Sequence, residues 1–133
     1  LARAIKISAA GMKAQGTRLR VVSENIANAQ STAPNPGASP YRRQVVMFRD
    51  QLDRELGVNT VRVHKIDTDK KPFDLRYEPA HPAANADGYV LYPNVNSLIE
   101  VADMREAQRS YEANLNTLNA SREMIQRTLD IIR

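Results

Sequence analysis

The residues best suited to chemistry in this chain are few and scattered. Only two histidines occur, His64 and His81. The first stands in an alternating, strand-like stretch and the second is flanked by prolines. Neither has a second histidine or a carboxylate at the helical spacing that turns two side chains toward one metal. Asp67 and Asp69 in DTDKK begin like a calcium loop, but the glycine and bidentate glutamate that complete such a loop do not follow. The glycines form no phosphate-cradling run, since Gly11 and Gly16 fall within a helical pattern and Gly37 within a proline-rich loop. No serine sits in a nucleophile-elbow setting. With no cysteine at all, disulfides, thiolate metal sites and a thiol nucleophile are excluded. Arg42 and Arg43 beside Tyr41 make a small basic and aromatic group, two charges being too few to anchor nucleic acid through several phosphates. These residues assign no catalytic, cofactor or metal site, and the chain reads as a non-enzyme.

The asparagines are the unusual feature. Asn25 and Asn28 close a first helical pattern, Asn94 and Asn96 precede a second, and Asn114, Asn116 and Asn119 decorate its middle. Two readings stand side by side. Such amides are solvated or cap helix ends, or they bond across a subunit boundary, because an amide both donates and accepts.

Composition narrows the class. At 133 residues, 26% charged and 42% hydrophobic, the chain is an ordered protein of about one domain. Aromatics are 5% and tryptophan is absent, so aliphatic helix seams must supply most of the burial. The net charge of +4 is uneven. Residues 1–30 carry five basic groups against Glu24 alone, whereas residues 97–133 carry five basic and six acidic. A basic N-terminal arm can meet nucleic acid, acidic lipid, or the acidic C-terminal segment of its own chain. A small basic helical nucleic-acid-binding protein is therefore the alternative functional reading. No apolar run approaches the roughly 20 residues needed to span a bilayer. Arg3 and Lys6 interrupt LARAIKISAA, so it lacks the apolar core of a secretory leader.

Periodicity supplies the elements. Ile5, Met12, Leu19 and Ile26 recur every seven residues, with small Ala9, Gly16 and Ser23 at the complementary position. This predicts a helix over about 2–29, weakened by Gly11 and Gly16 and reliant on packing. Met104, Tyr111, Leu118, Ile125 and Ile132 repeat the period, joined by Val101, Leu115 and Leu129. Ser97 and Glu100 have capping-box spacing, which predicts a helix of about 34 residues over 98–131. Between the helices, STAPNPGASP cannot be helical. Residues 41–92 read as a few short, irregular strands, with bulky YRRQVVMF and alternation at Val61 and Val63 and at Phe73, Leu75 and Tyr77. The expected fold is mainly α: two long terminal helices in a coiled-coil-like hairpin around a small β-containing insert. The expected segments are 1–30, 31–96 and 97–133. Two helices leave seam uncovered, which argues for assembly.

Three stretches carry a resemblance. SAAGMKAQGTRLRVVSENIANAQST is similar to the N-terminal signature of bacterial flagellar axial proteins, in which a small-residue helix ends in an Asn-x-x-Asn element, here Asn25 to Asn28. PYRRQVVMF resembles the segment that follows in rod proteins. YEPAHPAANADGYVLYPNVNSLIEVADMREAQRSYEANL, with its Pro93-Asn94-Val95-Asn96 and Arg109-to-Asn114 elements, resembles the C-terminal signature of the proximal rod. Residues 50–72 match no motif. The resemblance implies a structural subunit of the basal-body rod, the drive shaft crossing the periplasm, exported by the flagellar type III apparatus. Its implied partners are further copies, the other proximal and distal rod proteins and the hook–basal-body adaptor. It implies no cofactor, no nucleic acid and no membrane span. The assembly interface expected on this basis is Ile5, Met12, Gly16, Leu19, Asn25, Ile26 and Asn28 from the first helix. Pro93, Asn94, Met104, Tyr111, Asn114, Leu115, Leu118, Ile125 and Leu129 complete it. The three asparagines Asn25, Asn28 and Asn114 are expected to fix register, with Asn25 and Asn28 bonding across a subunit boundary, while Gly11 and Gly16 admit close helix approach.

Overall fold

The computed structural model describes all 133 residues. The order is α1 (Ala2–Ala27), β1 (Gln44–Asp53), β2 (Val58–Thr68), β3 (Asp74–Tyr77), β4 (Tyr89–Tyr92) and α2 (Ser97–Ile132). Both terminal helices stand within two residues of their expected limits. Three contacts fix their direction: Gly11 against Asn114, Arg18 against Asp103 and Glu106, and Asn25 against Glu100. Positions rising along α1 meet positions falling along α2, so the pair is antiparallel.

The row at the centre of the pair differs from the expected one. On α2 the deepest positions are Glu100, Ala107 and Ser121, with half-buried Asn114 completing a seven-residue series. On α1 they are Ser8, Gly11, Ala14, Val21, Val22 and Asn25. Small and polar residues thus occupy the line of closest approach. The large residues of the predicted seams, Ile5, Met12, Leu19 and Ile26 with Met104, Tyr111, Leu118 and Ile125, flank it and are half-buried. The reason is steric: helices carrying Gly11, Ala14 and Ala107 settle along that line, and bulkier rows are displaced to its edge.

The insert also departs from short irregular strands. β1 and β2 are 10 and 11 residues long and pair antiparallel, with one irregularity between Met47 and Phe48. Their turn is set by Asp53, whose carboxylate accepts from the N–H groups of Glu55 and Leu56, and by Gly57 at φ +66°. The unassigned stretch 50–72 is thus mostly one regular hairpin, laid against α1. β3 and β4 form a second antiparallel pair of four residues each. A sheet that small needs support. Val90 and Tyr92 are buried with Ala83 on one face, the Tyr92 hydroxyl donates to Glu78, and the Arg76 guanidinium stacks 4.1 Å over the Tyr92 ring. Gly88, at φ +87°, lets the chain pass Tyr77, since a Cβ there would lie 2.8 Å from the Tyr77 ring. Of the histidines, His64 is exposed on β2, and His81 Nδ1 accepts from the Ala83 N–H.

The expected capping box at Ser97 and Glu100 is replaced by another cap. Asn96 is the N-cap and its side chain accepts from the Leu98 N–H, while Glu100 is turned inward. No helix is long and apolar enough to cross a membrane.

Candidate functional site

The sequence-selected residues fall into two groups with different surroundings. The first is a polar junction where the end of α1, the base of the β1–β2 hairpin and the start of α2 meet. Asn25 is 1% exposed. Its Oδ1 accepts from the Tyr41 hydroxyl at 2.6 Å and the Gln44 N–H at 3.0 Å. Its Nδ2 donates to the Gln44 carbonyl at 2.9 Å and to Glu100 Oε2 at 3.2 Å. Both amide hydrogens and the carbonyl oxygen of Asn25 are thus engaged within its own chain. Asn28 is also used locally, donating to the Glu24 carbonyl at 2.8 Å and accepting from the Ser31 hydroxyl, so it ends α1. Asn94 accepts from the Arg43 N–H at 2.8 Å and donates to the Asp69 and Lys71 carbonyls. Pro93 is buried immediately before it.

At the centre of the junction, Arg43 Nε donates to Glu100, a carboxylate with no exposed surface. The same guanidinium reaches Asp69 at 3.2 Å and Asp103 at 3.5 Å. Arg18 in turn holds Asp103 at 3.4 Å and Glu106 at 3.3 Å. Burial works against the Arg43 charge, but the hydrogen bonds and charges of Glu100 and Asp69 outweigh it, so its pKa is raised. The Lys71 backbone N–H, helped by Arg43, holds Asp69 below the usual carboxylate range. Burial raises the Tyr41 hydroxyl, with the charges of Glu24 and Glu100 adding to it. Arg42 is engaged too: it donates to the Asp69 and Lys71 carbonyls and lies 4.1 Å over the Phe73 ring.

Sequence reasoning passed over this cluster. The sequence presents Tyr41, Arg42 and Arg43 as a small basic group, Asp67 and Asp69 as an incomplete calcium loop and Glu100 as part of a cap. The partners are 16 to 75 residues apart, and no local pattern joins them. One signal was legible: Glu100 shares a seven-residue row with Ala107, Asn114 and Ser121, an odd place for a lone charge.

The second group is apolar. Asp103 receives both Arg43 and Arg18, so its flank of α2 faces the insert. Met104, one residue on, points about 100° around the helix from it, as do Tyr111, Leu118 and Ile125 at successive heptads. On α1, Ala10 and Thr17 face the hairpin, and Met12 and Leu19 lie on the other side of Gly11. Together with Ile5, Ile26 and Leu115 these residues form a half-buried two-row strip on the side of the helix pair away from the hairpin. Leu129, 56% exposed, continues it. Asn114 donates to the Ser110 carbonyl of its own helix at 2.9 Å and packs over Gly11, where a Cβ would lie 2.7 Å from its Nδ2. Gly11 therefore admits close approach. At Gly16 a Cβ would meet nothing of the same chain within 4 Å. The polar junction holds no grouping of side chains suited to metal binding, and neither does the rest of the chain.

Comparison with known proteins fits this arrangement. The family model described as "Flagellar basal body rod FlgEFG protein C-terminal" matches residues 86–131, covering β4 and nearly all of α2. The chain is 50% identical over 133 residues to the flagellar basal-body rod protein FlgC of Agrobacterium fabrum, spanning all of this chain and 96% of the relative. It is 40% identical to FlgC of Borreliella burgdorferi over 97% of this chain and 95% of the relative. For FlgC of Salmonella typhimurium the figures are 39%, 94% and 92%. Nothing in these relationships supports the nucleic-acid-binding alternative. A non-catalytic chain of two helices and a braced insert, related over its whole length to these proteins, belongs to the FlgC family of flagellar basal-body rod proteins, structural components of the flagellar basal body.

Proposed function

We propose that the two-row apolar strip is the surface through which this rod subunit assembles. The observation that carries this reading is the half-exposure of large apolar residues along one continuous side of the helix pair. Ile5, Met12, Leu19 and Ile26 face Met104, Tyr111, Leu115, Leu118 and Ile125 there. Contiguous apolar surface of that kind marks an interface. In this reading segments 1–30 and 97–133 form an inner layer around the export channel, supercoiling with neighbouring helices, and segment 31–96 lies outside. Copies of the chain, the proximal and distal rod proteins and the hook–basal-body adaptor are its neighbours, and the type III apparatus delivers it across the cell envelope. The polar junction fixes the angle between insert and helices, so that torque entering one is carried by the other.

The test is Leu118→Asp in cells relying on this chain for motility. The variant is expected to accumulate and be exported but to leave rods incomplete, with hooks absent from purified basal bodies. Normal hooks and swimming in that strain would overturn the reading.

A further inference from the structure

The β1–β2 hairpin is tied to α1 by polar contacts at its two ends and by none between them. At the base, the Asn25 amide exchanges two hydrogen bonds with the Gln44 backbone, and Arg42 and Arg43 hold Asp69 just beyond β2. At the tip, Lys6 meets Asp53 at 3.4 Å. Lys6 is exposed, and an ion pair of that kind is weak. The two oxygens of Asp53 have separate tasks. Oδ1 accepts from the Glu55 and Leu56 N–H groups that close the turn, and Oδ2 receives Lys6.

Between base and tip lies an open cleft of about 470 Å³, with Ala10, Ala14 and Thr17 of α1 on one side and Gln51, Thr60 and Arg62 of the hairpin on the other. Apart from the Lys6–Asp53 pair, the charges lining it are of one sign. α1 has no carboxylate before Glu24, and Lys13 and Arg62 both line the cleft. Arg49 stands directly opposite Arg62 in the ladder, on the same face. None of these three cations forms an ion pair, and Arg62 contacts only the neutral amide of Gln51. Lys13 therefore repels the hairpin across the cleft. The ladder also has a place to bend. Met47 pairs with Lys65 and Phe48 with Val63, which leaves His64 without a partner. An extra residue of this kind kinks its strand, and it falls between the anchored base and the outer half of the hairpin.

We infer that residues 48–63 form a hinged arm that pivots at this bulge and is latched to α1 by the Lys6–Asp53 pair. Lys13, facing Arg49 and Arg62, pushes the arm outward against the latch. Releasing the latch lets the tip swing from α1 while the polar junction and the helix pair keep their geometry. The inference concerns a single chain and does not depend on what the apolar strip binds.

Distances measured by pulsed electron paramagnetic resonance on the purified, otherwise cysteine-free chain test it. Nitroxides on Ala9→Cys with Glu55→Cys report the tip, and those on Ser23→Cys with Thr68→Cys report the base; all four side chains are exposed. Lys6→Gln is expected to broaden the tip distribution and lengthen its mean by more than the original width, leaving the base distribution unchanged. Asp53→Asn keeps an oxygen for the turn and should open the tip in the same way. In the Lys6→Gln chain, adding Lys13→Glu replaces repulsion by attraction and should restore the short, narrow distribution. Salt at about 1 M, where the screening length is about 3 Å, should restore it in part. Unchanged circular dichroism separates a released arm from an unfolded chain. A tip unmoved by both latch variants overturns the inference, as does a base that broadens along with the tip. A tip that stays open when Lys13→Glu is added removes the cations as the force behind the arm.

Discussion

The polar junction and the apolar strip are built on the same two helices and solve opposite problems. At the junction each side-chain nitrogen and oxygen of Asn25, Arg43 and Glu100 finds a partner inside the chain. Along the strip, large apolar groups are left half covered. Buried polar networks of this kind contribute little net stability relative to an apolar core, but they penalise alternative arrangements, because any slip strands a charge. Apolar strips do the reverse, offering adhesion without strict geometry. The molecule uses polar groups to define the subunit's internal shape and leaves its large side chains half covered. The expectation from sequence placed both the asparagines and the large apolar seam residues at subunit contacts, the seam also packing within the subunit.

Three perturbations would break or sharpen that contrast, taken from the largest effect to the smallest. Arg43→Met leaves Glu100 buried without its cation, and the loss of stability should be about 3–5 kcal/mol, as for other severed buried ion pairs. Adding Glu100→Met removes the stranded charge and should recover most of that loss, measured by urea denaturation of the two variants. If the double variant is no better than the single, the charges themselves are not what the junction balances.

Acid should act on the same region. The folded state holds the Asp69 pKa below its ordinary value, as it does for Asp53 and Asp67. A lowered carboxylate contributes stability that is fully present above the unfolded-state pKa and is lost as pH falls through the folded-state value. Thermal stability should therefore be level down to about pH 5 and decline below about pH 4, near the ordinary aspartate value. Asp69→Asn should flatten part of that decline. An identical acid profile in the variant would remove Asp69 from the account.

The smallest effect separates the two helical glycines. Gly16→Ala, with open space at the added methyl, should stabilise the isolated subunit by about 0.5–1 kcal/mol. Gly11→Ala places a methyl against the Asn114 amide and should gain less or lose stability, according to how far that side chain can swing. Thermal denaturation of both monomers distinguishes them, and equal gains would mean that α1 and α2 are not held closely at Gly11.

Much of the fold was readable from local pattern, for identifiable reasons. The seven-residue recurrences at 5–26 and 104–132 revealed two long helices, because period is a property of neighbours along the chain. They did not reveal which row faces inward. The two candidate rows are about 40° apart on α2 (Ala107 against Tyr111) and about 100° apart on α1 (Gly11 against Met12), and the choice falls to whichever lets the backbones come closest. That favours Gly11, Ala14 and Ala107 over Met12 and Tyr111. The alternation at Val61 and Val63 announced a strand, but a hairpin with a 10-residue register emerges only when residues 44–53 meet residues 58–68. The Asn-x-x-Asn element was visible, and its place in an ordered set of motifs pointed to the flagellar family.

By itself, then, the amino-acid order determined the terminal helices, the helix-breaking loop, the absence of a catalytic constellation and the kinship to flagellar rod proteins. Each of these depends on residue type and short-range spacing. Tertiary structure alone decided where the polar groups turn. Glu100 pairs with Arg43 across 57 residues and bonds Asn25 across 75, a choice enforced by the cost of burying a carboxylate without partners. Once that choice is made, the asparagines belong to the inside of the subunit and the large apolar rows to its edge.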